Sequence, residues 1–279
     1  MKRLITLMAA LVCIAAYAQT STVDYKSNYE RQVRGVGYAG VGVETIINRW
    51  EAAEPDNAEV HNARFNYHYA KSQGTEVVSK ESRKYLGMEP VLTLKDSLGK
   101  DVFYFQVLKF DDEIFGEAVR SIDKAISLDA LEMRYRISKI SAMLNYEKES
   151  PDMAASEILS LIDHYLSTKQ QAWKIDGEAM EEDVFVQAIS EYCYSLFQTA
   201  TPASYNYFHQ ISIRMNKLYP KETVFINNQG AYWQAAEKNY KKALKFYKKA
   251  LKIDPEDFVA LRNTKTIQTL QSKQGRSSK

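Results

Sequence analysis

Apolar residues recur every three or four positions through most of this chain. In VFVQAISEYCYSLF, Phe185, Ile189, Cys193 and Phe197 are four apart and so line one stripe of a helix. The same period predicts helices over 41–54, 57–72, 111–128, 130–146, 151–168, 180–199, 202–218, 222–237, 239–253 and 256–272. Thr201-Pro202 pairs a capping hydroxyl with a proline, whose missing N–H costs nothing in a first turn. Ser150-Pro151-Asp152 repeats that signal. The joints between segments are short, as in helical hairpins. The pattern predicts an all-α fold with one interruption.

That interruption runs from about residue 73 to 110. Gly74, Gly87, Pro90 and Gly99 punctuate it, and VFYFQV is rich in β-branched and aromatic residues. DSLGKD reads as a turn between short extended pieces. Strand is therefore expected here, as a small β/loop insertion separating the two helices of an early pair. Insertions of this kind either carry function or serve as flaps that cover an exposed edge.

The stretch Asn239–Pro255, NYKKALKFYKKALKIDP, places Ala243 and Ala250 seven apart with Tyr247 between them and a proline at the end. The small residues let a second helix approach, the ring fills the gap between the contacts, and the lysines fall on the opposite face. Pro255 cannot continue the helix. This resembles the second helix of a tetratricopeptide repeat (TPR), a family with a period of about 34 residues. Pro220 lies 35 residues before Pro255. In the preceding helix Ala231 matches the family's small position, while Asn227, Gly230 and Gln234 replace its usual Trp, Leu and Tyr. An older copy, FGEAVRSIDKAISLDA, aligns at a constant offset of 125, with Ala118, Ile122 and Ala125 on Ala243, Tyr247 and Ala250. Ile47, Trp50 and Pro55 occupy the corresponding places near the N-terminus.

The resemblance implies a TPR-like solenoid of antiparallel helix pairs over residues 19–279, clearest at 222–255. It also implies a concave groove lined by first helices. Carried onto this chain, the groove positions are Phe225, Asn228, Tyr232, Val259 and Arg262. Their Asn and Arg would hold a peptide backbone or carboxylate, and the others would supply apolar contact. The Lys, Asn and Arg set of the family's chaperone-tail clamp does not assemble here.

The first residues change the picture of where the protein works. Met1-Lys2-Arg3, an apolar run from Leu4 to Ala16 and Ala16-Tyr17-Ala18 describe a signal peptide over residues 1–18. Val12 before Cys13 is too bulky for a lipobox. The expected product is exported, periplasmic or secreted, with Cys193 its single cysteine and no transmembrane span. Lys+Arg 37 against Asp+Glu 35 leaves a net charge of +2, which argues against nucleic acid as the main partner. The tail from about 273 to 279 is expected to be disordered.

Chemistry finds little purchase. Gly35, Gly37 and Gly40 have GxGxxG spacing, but polar YKSNYERQVR precedes them and no alternation of strands and helices follows. They read as a flexible turn into the first helix. His61 and His68 are two helical turns apart, roughly 10 Å, too far to share a metal without a third group. Cys193 lies on an apolar helical stripe with no cationic neighbour in sequence to activate it. Neither a metal nor another cofactor is expected. The sequence points to a non-enzymatic scaffold binding a protein or peptide in its groove. Two rivals remain: a structural accessory of an envelope assembly, and a hydrolase sited on the 73–110 insertion.

Overall fold

The computed structural model describes residues 23–277, so the leader expected over 1–18 lies outside the described residues. Eleven helices hold 65% of what is described. In chain order they are α1 (Tyr25–Val36), α2 (Val43–Ala53), α3 (Ala58–Ser72), α4 (Asp112–Leu128), α5 (Met133–Tyr146) and α6 (Asp152–Thr168). There follow α7 (Glu182–Thr199), α8 (Pro202–Leu218), α9 (Thr223–Ala235), α10 (Tyr240–Ile253) and α11 (Phe258–Ser277). Among the described residues no helix is long and apolar enough to cross a membrane.

Ten of these helices fall where the apolar period puts them. The exception, α1, buries only Tyr29 fully and is largely polar, so its stripe is too thin to stand out. Asp24 caps it by accepting the Ser27 N–H at 2.9 Å, and the Tyr29 ring packs 6.1 Å from Trp50. The glycine segment begins inside this helix at Gly35 and continues as the turn into α2. At α8, Thr201 and Ser204 form a reciprocal capping box. At α6, Ser150 does not cap; the Glu147 carboxylate takes the Ala154 N–H at 2.9 Å instead. Helix α11 runs through Ser277, into the segment from about residue 273 that was expected to lack order.

The interruption is a three-stranded antiparallel sheet of β1 (Gln73–Lys80), β2 (Leu92–Lys95) and β3 (Asp101–Phe110), in the order β1-β3-β2. Register pairs Gln73 with Phe110, Val78 with Phe105 and Leu92 with Tyr104. DSLGKD is the β2–β3 turn, where Asp96 accepts the N–H groups of Leu98 and Lys100, each at 2.8 Å. The sheet grows directly from the ends of α3 and α4, and its root closes through Asp111 N–H to the Ser72 carbonyl at 2.8 Å. Helices α3 and α4 pack against each other beneath that root. Strand is not confined to this insertion: β4 (Lys174–Ile175) and β5 (Glu178–Ala179) form a two-residue hairpin between α6 and α7. Its Asp176-Gly177 turn has positive φ at both residues, as a tight hairpin requires. The segment is too short for any period to reveal it.

The core divides into four clusters along the chain. Three helices serve two neighbouring clusters each. Helix α3 gives Val60 and Tyr67 to one and Phe65 to the next. Helix α5 gives Tyr135 to the second and Ile140 to the third, and α9 gives Phe225 to the third and Ile226 to the fourth. In α10, Ala243, Tyr247 and Ala250 are fully buried while Lys241, Lys242 and Lys249 are exposed. Ala118, Ile122 and Ala125 of α4, at the matching positions, are fully buried too.

Candidate functional site

A cleft of about 720 Å³ opens between α7, α9 and α11. Its floor is built by the α9–α10 hairpin. Gly230 lets the Tyr247 ring lie directly on the α9 backbone; a Cβ there would come within 2.5 Å of Cε1 of that ring. The Tyr247 hydroxyl donates to Gln234 Oε1 at 2.8 Å and accepts from Asn263 Nδ2 at 3.3 Å, tying α9, α10 and α11 together. Burial pushes that phenol up to about 12, against the opposing effect of the Asn263 hydrogen bond.

Asp257 starts α11. Its carboxylate accepts the Ala260 N–H at 2.8 Å and both contacts from Asn227 Nδ2, at 2.9 and 3.0 Å. Burial pulls its pKa upward, but hydrogen bonds from Thr223, Ala260, Asn227 and Val259 outweigh it and hold the group below its ordinary value. Asn227 thus pins α9 to the start of α11. Its own Oδ1 is buried without a partner.

Of the five residues expected to face a groove, Asn228, Val259 and Arg262 line this cleft together. Arg262 extends over the Phe258 ring, 5.7 Å from its centroid, and no carboxylate among the described residues pairs with it. The other two are corrected. Phe225 is fully buried in the third cluster. Tyr232 is 9% exposed, stacks on His209 at 4.0 Å and donates its hydroxyl to Glu237 at 2.8 Å. Both sit on the α9 face that a neighbouring helix covers, and no single-helix pattern distinguishes that face from an open one. Sequence reasoning missed Tyr194, which is 64% exposed at the cleft wall. An aromatic ring off the Phe185–Phe197 stripe was the available signal.

The insertion reaches into the middle of the molecule rather than away from it. Its β1–β2 connection sends Tyr85 to the Glu149 carboxylate and Gly87 against the Gln198 carbonyl at the end of α7. Gly87 has φ +75°, and any Cβ there would collide with that carbonyl. This strap covers a cavity of about 420 Å³ between α5 and α7, whose wall includes Tyr192.

Cys193 is fully buried, and burial pushes its thiol up to about 12. Its neighbour is Ser212 Oγ at 3.7 Å. A thiol so placed stays protonated near neutrality and is inert. His61 is held by the Pro55 carbonyl at 2.8 Å. Among the described residues no group of three or more His, Cys, Asp or Glu is placed to hold a metal ion. No protein-family model matches the chain, and neither does any curated protein sequence.

Proposed function

We propose that this chain is an exported, non-enzymatic, TPR-like solenoid of helix pairs that holds a protein or peptide segment in the cleft between α7, α9 and α11. The observation that carries the proposal is the lining of that cleft. Tyr194 and Val259 offer apolar surface, Asn228 offers an amide, and Arg262 carries a guanidinium with no carboxylate partner of its own. Apolar anchors beside a few orienting polar groups are what an extended segment needs. The buried, spent polar groups around them, Asp257 and Tyr247, act as scaffold.

The test is affinity capture from an envelope extract with identification of what is retained. Asn228→Ala with Arg262→Ala is expected to weaken capture by about tenfold or more while leaving the melting temperature within a few degrees, since both side chains reach the cleft. Lys241→Glu with Lys242→Glu, on the far face of α10, is the control and leaves capture intact. Loss of capture through the lysine pair alone would move binding to the outer face and refute the site.

A further inference from the structure

A second cleft, of about 650 Å³, lies near the N-terminal end between α1, α3, the start of α5 and the β4–β5 turn. It is separate from the cleft described above. Two independent features give it a chemical character.

The first is charge. Six carboxylates line it against three cations. Arg134 is shared by Glu59 and Asp176, and Lys174 pairs with Asp129 at 2.7 Å. Arg34 reaches Glu30 at 3.9 Å, which leaves Asp56 and Glu132 with no cation within ion-pair distance. Glu132 is only 3% exposed and is held by the N–H groups of Asp176 and Gly177, each at 3.0 Å. The hairpin turn therefore fixes a carboxylate in the wall, and Arg134 and Lys174 act on it only from beyond ion-pair distance. The second feature is Asn62. It is 5% exposed, lines the cleft, and its Oδ1 has no hydrogen-bond partner. A buried acceptor without a donor costs free energy, and a ligand that brings a donor recovers it.

We propose that this cleft binds a lysine or arginine side chain carried on a peptide segment. Ammonium and guanidinium groups are donors only, which suits an unpaired acceptor beside surplus negative charge. Tyr38, 48% exposed at the mouth, provides a ring for the aliphatic stem or for the cation itself.

The experiment is fluorescence anisotropy on the mature chain with two labelled octapeptides, one alternating Arg and Ser and one alternating Glu and Ser. The Arg peptide binds and the Glu peptide does not. Asn62→Leu, of similar volume, keeps the fold, checked by melting, and weakens binding by about tenfold. Asp56→Asn, an exposed change, weakens it by about two- to fivefold, whereas Glu113→Gln and Glu222→Gln on remote surfaces leave it unchanged. Asn228→Ala with Arg262→Ala also leaves it unchanged, which separates this site from the other cleft. The proposal is overturned if the Arg peptide does not bind at millimolar concentration, or if Asn62→Leu has no effect. It is equally overturned if the remote variants act like Asp56→Asn, or if free spermine competes as well as the peptide.

Discussion

Tyr247 shows how much a single position decides. Its ring is fully buried, and its hydroxyl is anchored from two other helices, so it cannot retreat. Gly230→Ala places a methyl inside that contact, and Ala250→Leu overfills the same cluster. Each is expected to cost about 1–3 kcal/mol in a urea melt; an unchanged midpoint for both would mean the contact is not tight. Asp257 makes a pH-dependent contribution whose sign follows from its surroundings. Its folded pKa lies below the ordinary 3.8, so the stabilisation is complete above that value and disappears as pH falls through the lower, folded one. The stability advantage of wild type over Asp257→Asn should therefore shrink between roughly pH 5 and pH 2. A constant difference across that range would show that the carboxylate is held by shape rather than by charge.

At the scale of elements, the strap from β1 to β2 is the part whose role the helices do not dictate. It is joined to the helical body through Tyr85 to Glu149 and through the close approach of Gly87 to α7. Gly87→Val adds bulk at a left-handed position facing backbone, so the strap must lift. Amide hydrogen exchange is expected to speed up over 81–91 and at the end of α7, with helical circular dichroism unchanged. Equal protection in both proteins would mean that the strap is held by its sheet alone. Legibility differed between elements for a physical reason. Helix α10 has small residues, a ring and six lysines in register, so its faces were readable; α1 and the β4–β5 hairpin bury too few side chains to leave a pattern.

Across the whole molecule, four clusters joined by helices that serve two of them imply stability that varies along the chain. Cys193 lies in the third cluster and Ala250 in the fourth. Thiol labelling of Cys193 at pH 8 requires that its cluster open, because the buried thiol is protonated. Ala250→Leu should accelerate amide exchange in α10 and α11 while leaving the Cys193 labelling rate unchanged. A parallel rise in both would reveal one cooperative unit instead.

Periodicity and small-residue spacing sufficed to locate ten helices, the turn at DSLGKD, and the insertion between α3 and α4, because each depends on contacts made within one element or with its nearest neighbour. The same logic identified Ala243, Tyr247 and Ala250 as buried and their lysine neighbours as exposed. Which α9 residues face open space was beyond it. Asn228 reaches a cleft while Phe225 and Tyr232, three and four residues away, are covered by other helices. A helix pattern shows that a side is apolar, not whether another helix lies against it. The acidic N-terminal cleft depends even more on the fold, since it gathers Asn62, Glu132 and the turn at Asp176 from segments up to 114 residues apart. Only tertiary packing brings such groups into one wall and leaves an amide there without a partner.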